Sequence, residues 1–208
     1  GYTSGNAVPF LPTGWQAKYD GSIRASRGRQ GCEFVSPVLK GAEGIRQVMD
    51  VVAKLNEIGA KVNDSCGLHI HVGFPRDDRK ALDRLVTLVA NFEKALYAST
   101  GTKRRERGQW CRGVQGHGNA QRAIEAGTNV RYHALNVQNL MMGRRPAIEF
   151  RVFAGTLNIA KIIGHIRMAL GMVERALKAK RVTNWAAKPV AATSPIARKG
   201  EGQTALTR

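Results

Sequence analysis

The chain reads as a mixed helix-and-strand domain built around a small sheet, on three observations. Apolar residues recur three and four apart over 41–59, 77–99 and 158–180, the spacing of helices with one buried stripe. Between them lie short β-branched or aromatic runs at 31–39, 68–73 and 147–153. Two of those runs carry paired chemistry: His69 with His71, and Glu149 with Arg151. Residues two apart in a strand share a face, so each pair projects from one side, with Phe150 and Val152 turned the other way. Such a surface offers metal ligands and a guanidinium fork for phosphate or carboxylate. The alternation of strand and helix is the order of a parallel sheet, but periodicity leaves strand direction open.

Taken in order, residues 1–30 are rich in Gly, Ser, Pro and Arg and read as extended or loop structure. Gly31 to Leu39 reads as a short strand interrupted by Pro37. Gly41 to Gly59 reads as a helix whose stripe is Ile45, Val48, Met49, Val52, Leu55 and Ile58, with Gly59 as its stop. The histidine strand follows at 68–73. Asp77 or Asp78 caps a second helix reaching Ser99, with Leu82, Leu85, Val86, Leu88, Val89, Phe92 and Leu96 inward. Thr100 to Asn119 is polar, basic and glycine-rich, a candidate mobile loop. A short helix is expected at 119–126, and 130–140 is ambiguous between strand and helix. Ala147 to Phe153 is the Glu/Arg strand. Asn158 caps a last helix to Lys180, with Ile159, Ile162, Ile163, Ile166, Leu170, Val173 and Leu177 as its core face. Residues 182–208 read as a basic tail, disordered alone or docked on something else. The expected division is therefore a domain over 1–181 and a tail over 182–208.

Composition bounds the function. A length of 208 residues suits one sizeable domain. No run of eighteen apolar residues occurs and no signal peptide is visible, so neither a membrane span nor export is expected. Cys32, Cys66 and Cys111 are scattered and odd in number, which argues against a disulfide framework and a structural zinc site and favours a reducing, cytoplasmic setting. The formal net charge is +18. Such a surface attracts phosphates, nucleic acid or acidic protein; a cationic surface without a specific partner reads equally well. Aromatic residues do not interleave with the basic clusters as a single-strand platform requires.

Several side chains have a plain reading beside a chemical one. Glu33, inside Cys32-Glu33-Phe34-Val35, is an edge-strand residue facing water or a metal-facing carboxylate. His69 and His71 are hydrogen-bonded core residues or ligands. Glu149 and Arg151 form a structural ion pair, or hold a divalent cation and a transferring phosphoryl group. Asp20 and Ser22 read first as a turn, and Arg131 as surface. A metal-dependent hydrolase built on the histidines lacks a positioned base at a familiar spacing.

Five segments in order carry a resemblance: the Asp20-Gly21-Ser22 turn, E-F-V-S-P-V-L from Glu33, N-D-S-C-G-L-H-I-H-V-G from Asn63, R-Y-x-x-L-N from Arg131, and I-E-F-R-V-F-A-G-T-L-N from Ile148. Together they resemble the putative amidoligase family, a branch of the glutamine synthetase-like carboxylate–amine ligases, from about Trp15 to Ala176. The resemblance implies an α+β glutamine synthetase-like catalytic fold: a curved, mostly antiparallel half-barrel sheet backed by helices. It implies that ATP phosphorylates a carboxylate and an amine displaces the phosphate, with Mg2+ or Mn2+ bridging the nucleotide.

The same resemblance implies Glu33, His69 and Glu149 as metal ligands, and Arg151 as the stabiliser of the transferred phosphoryl group. It implies His71 as a nucleotide contact, Asp20 and Ser22 as the substrate-side turn, and Arg131 as a phosphate contact. A homo-oligomer with active sites between subunits is also implied. Family members open with F-G-x-E-x-E, whereas this chain has no glutamate ahead of Glu33. A missing N-terminal segment, which the Gly1 start favours, and a degenerate member are the two explanations. The alternative function is an inactive member serving as a basic structural or nucleic-acid-associated component.

Overall fold

The structure, a computed structural model, describes residues 9–181 and 184–187. It is α+β, and its described residues divide into two compact units, one formed by the chain through Cys66 together with Gly155–Gly164, the other by Gly67–Ala154 and the described residues from His165 onward. The expected tail lies outside the described residues except for 184–187.

The first unit holds β1 (Gln16–Tyr19), β2 (Cys32–Val35) and α1 (Gly41–Glu57). β1 and β2 pair antiparallel, with Lys18 opposite Glu33. β1 was not expected, because Gln16-Ala17-Lys18-Tyr19 is mostly exposed and shows no apolar alternation. α1 buries Val51, Val52 and Leu55 but leaves Met49 and Ile58 exposed, so its stripe is rotated from the expected one. Gly59 ends the region at φ +71°, where a side chain is strained.

The second unit carries the main sheet. β3 (Gly67–Gly73), β4 (Leu135–Asn136) and β5 (Ala147–Ala154) run in the order β3–β5–β4, and both pairings are antiparallel. The parallel order suggested by strand–helix alternation is therefore corrected, and the antiparallel expectation holds. The crossovers bring a late strand back beside an early one. The sheet extends past β4: Arg151 N–H donates to the Ala134 carbonyl (2.8 Å), and Arg112 bridges in parallel to His133. Residues 111–113 thus ride on the sheet edge.

Helices α2 (Arg79–Ser99), α4 (Ala120–Asn129) and α6 (Ile159–Lys178), with the short α3 (Arg104–Arg107) and α5 (Gln138–Met141), complete the elements. Asp78 and Asn119 cap α2 and α4 by accepting from the N–H groups of Ala81 and Arg122. Asn158 accepts from Lys161 N–H at the start of α6. α2 is buried almost all round, including Thr87, Asn91 and Glu93. On α6 the buried residues are Ile162, His165, Ala169, Val173 and Ala176, whereas Leu170 and Leu177 are exposed. Small residues let a helix approach closely, so the packed face follows alanine rather than the bulkiest side chains. The segment 184–187 docks by a reciprocal pair: Asn91 Nδ2 donates to the Asn184 carbonyl, and Ala186 N–H donates to Asn91 Oδ1 (both 2.9 Å).

One irregularity shapes the sheet. Leu68 pairs with Phe153 but Ile70 pairs with Phe150, so Arg151 and Val152 together oppose His69. This is a β-bulge on β5. Strict alternation would send Phe153 to the Glu149 face. The extra residue turns it to the core, where its ring lies 6.5 Å from that of Phe150 and 4.3 Å from that of His165. Phe153→Ala should cost about 3–5 kcal/mol of unfolding free energy in urea denaturation, because Phe153 is fully buried. Val38→Ala, at an 88% exposed position, should stay within about 0.5 kcal/mol of wild type.

Candidate functional site

β3 alternates as the sequence reading expects, and β5 does so up to its bulge. Ile70 and Val72 are buried on the core side, and His69 and His71 lie on the other. On β5, Glu149 lies opposite His71 across the strand pair and opposite Asn136 on β4. Three strands therefore aim polar groups at one carboxylate. Asn136 Nδ2 donates to Glu149 Oε2 at 2.6 Å, and Arg151 Nη1 donates to Oε1 at 2.8 Å. His69 Nδ1 comes within 3.3 Å of Oε1 and His71 Nε2 within 3.7 Å.

Arg151 is itself held. Its Nε donates to the Trp110 carbonyl at 3.2 Å, and its guanidinium lies 5.8 Å from the centre of the Tyr132 ring. Arg105, which the sequence places in a basic run that reads as surface charge, is buried and donates to the Arg151 carbonyl. Gly67 leaves room for this packing. A Cβ there would lie 2.9 Å from His69 Nε2 and 3.2 Å from the Arg105 terminal nitrogens.

The segment expected as a mobile loop, Thr100 to Asn119, is pinned at several points. Buried Glu93 accepts from the N–H groups of Val114 (2.8 Å) and Gln115 (3.0 Å), and Tyr97 Oη donates to the Cys111 carbonyl (2.5 Å). The segment contains α3 and a 3₁₀ turn at Gln115–His117. This clamp fixes Trp110 and Arg105 beside the sheet.

The electrostatics follow from burial and neighbours. Burial pushes the Glu149 carboxyl up, but Arg151, His69, the Asn136 amide and His71 outweigh it, leaving the group below its ordinary range and ionised. Burial, and after it the field of Arg151, push His69 down to about 4 despite the attraction of Glu149. His69 is therefore neutral near pH 7, and its contact with Glu149 is not an ion pair. Burial likewise lowers Arg105, which stays cationic at neutral pH. Two guanidiniums against one carboxylate give a net positive site that attracts anions.

A neutral imidazole and an ionised carboxylate are the protonation states a divalent cation needs. The arrangement does not fit a resident metal, however, because both Glu149 oxygens are already engaged. Among the described residues, no group of three or more His, Cys, Asp or Glu could hold a metal ion.

The remaining expected residues stand as follows. Arg131 is exposed with its guanidinium 5.1 Å from the Tyr132 ring centre. Asp20, Ser22 and Glu33 belong to the first unit. Asp20 Oδ1 accepts from both the N–H (2.8 Å) and the hydroxyl (2.6 Å) of Ser22, the turn reading. Glu33 is exposed on a two-stranded sheet. Asn136, Arg105, Trp110 and Tyr132 were not read as site residues; Tyr132 and Asn136 had a signal, as the second and last residues of R-Y-x-x-L-N.

A family model described as "Putative amidoligase enzyme" matches residues 11–123, more than half of the chain. The span contains Asp20, Ser22, Glu33, His69 and His71 and ends before Arg131, Glu149 and Arg151. Comparison with curated proteins and with solved structures found no match.

His69 makes stability depend on pH. Its folded-state pKa of about 4 lies below the ordinary 6.5, so the unfolded chain holds the extra proton between those values. The contribution is complete above about 6.5 and is lost as pH falls through about 4. Urea denaturation across this window should show stability rising with pH in the wild type and a shallower rise in His69→Gln. Equal slopes would contradict the assignment.

Proposed function

The chain belongs to the putative amidoligase family, and from that premise we propose that it is a carboxylate–amine ligase that uses ATP and works through an acyl phosphate. The observation that supports this reading best is the convergence of His69, His71, Asn136 and Arg151 on the Glu149 carboxylate. It joins a net positive floor to the neutral imidazole of His69 on one sheet surface.

In this reading a carboxylate oxygen attacks the γ-phosphorus of ATP, the bond to the β-phosphate oxygen breaks, and ADP leaves. The amine then attacks the acyl carbon, inorganic phosphate departs with the C–O bond pair, and the amine loses a proton. Arg151 offsets charge building on the phosphoryl oxygens. Its Nε and Nη1 are engaged within the protein, which pre-orients the guanidinium. Mg2+ or Mn2+ arrives with the nucleotide as the counter-ion of its phosphates and is part of the substrate.

The resemblance supplies further parts: His71 and Arg131 as nucleotide and phosphate contacts, Asp20 and Ser22 on the substrate side, and Glu33 as a cation ligand. A glutamine synthetase-like sheet and a homo-oligomer that completes the carboxylate set belong to the same proposal. No helix among the described residues is long and apolar enough to cross a membrane.

A second reading, a basic component that binds nucleic acid or acidic protein, is favoured by the +18 charge and by exposed Lys103, Arg107, Arg144 and Arg145. Calorimetric titration separates the two. The ligase reading expects ATP with Mg2+ to bind the wild type, and expects Glu149→Ala, which frees Arg151 and the histidines from their common partner, to abolish binding. Absence of nucleotide binding, with nucleic-acid affinity that falls steeply with salt, would favour the second reading.

A further inference from the structure

Beside the Glu149 cluster lies a cavity of about 230 Å³ lined by Gln109, Trp110, Arg112 and Tyr132. It is smaller than the roughly 300–1,000 Å³ that encloses a whole small-molecule ligand, and so suits one ring system whose substituents run outside. Its walls are aromatic and cationic. The Trp110 and Tyr132 rings meet edge to face, 4.8 Å between centres at 83°. Trp110 is 46% exposed, large for an indole held in a defined pair.

The walls are fixed to the main sheet. Arg112 N–H donates to the Tyr132 carbonyl (2.9 Å), and Ala134 N–H donates to the Arg112 carbonyl (2.8 Å). Arg151 joins the cavity to the floor, touching the Trp110 carbonyl with Nε and Glu149 with Nη1. Arg131 covers the Tyr132 ring from 5.1 Å. An exposed indole offers stacking to a planar heteroaromatic ring, the Gln109 amide offers a donor and an acceptor to its edge, and the arginines offer charge to anionic groups leading toward Glu149.

We infer that this cavity holds the base of a nucleoside triphosphate, stacked on Trp110, with the phosphates passing over Arg112 and Arg131 to Arg151. The inference rests on the ligase reading, since it supplies the base site for the same nucleotide.

The test is calorimetric titration of the full chain with ATP and Mg2+, and separately with tripolyphosphate and Mg2+, which lacks a base. Trp110→Leu should weaken ATP on the order of tenfold or more and leave tripolyphosphate unchanged, and Trp110→Phe should restore most of the loss. Circular dichroism verifies that the variants fold. If ATP binds the wild type and Trp110→Leu equally, the base site is overturned while the ligase reading stands. If both ligands weaken alike in a folded Trp110→Leu, the residue only positions Arg151 and the base assignment fails. If the wild type binds no ATP, both readings fail; Trp110-dependent binding of a single-stranded oligonucleotide would then assign the cavity to nucleic acid.

Discussion

The arrangement depends on one buried carboxylate. Glu149 is 6% exposed, and an ionised group removed from water costs several kcal/mol unless partners replace the lost hydration. Here the replacements come from three strands: Arg151 beside it on β5, Asn136 from β4, and the imidazoles of β3. Each partner is placed by strand register, so the requirement to satisfy one charge also fixes how the three strands align. A slip of β5 by one residue would send Glu149 and Arg151 together toward the core side and strip Glu149 of Asn136 and the imidazoles.

The bulge at Arg151 and Val152 reconciles two demands on β5. The polar face needs Glu149 and Arg151 two apart, and the core needs both Phe150 and Phe153. Regular alternation cannot place Glu149, Arg151, Phe150 and Phe153 in this way, and one extra residue can. The neighbouring segment answers a related constraint. Arg105 and the Trp110 carbonyl must be held against Arg151, and the clamp by Glu93 and Tyr97 provides this from α2. A carboxyl group buried on one helix thereby determines the path of a loop that hydropathy alone would leave free.

Legibility in the sequence followed locality. The histidine pair, the Glu–Arg pair and their apolar backing were readable, because strand alternation is a property of adjacent residues. The caps at Asp78 and Asn158 were readable for the same reason. Features fixed by distant partners were not. Arg105 looked like surface charge, because nothing in Lys103-Arg104-Arg105-Glu106-Arg107 distinguishes the one side chain that lies under β5. β1 lacked an apolar pattern because its order comes from pairing with β2. The inward face of α6 was misjudged at Leu170 and Leu177, because close approach selects Ala169 and Ala176. Strand direction followed the order of elements in neither sheet. The family resemblance carried the antiparallel expectation. The matched span of the family model stops before β5, so the placing of Glu149 and Arg151 at the site stands on their geometry.

The most direct measurement is a double-mutant cycle on Glu149 and Arg151 by urea denaturation, using Glu149→Gln, Arg151→Met and the combination. If a single buried pair organises the site, each single variant leaves a buried charge uncompensated and loses about 3–5 kcal/mol. The double variant then loses far less than the sum. Additive losses would mean that the two side chains are energetically independent, and would contradict an account in which the buried pair organises the geometry of the site.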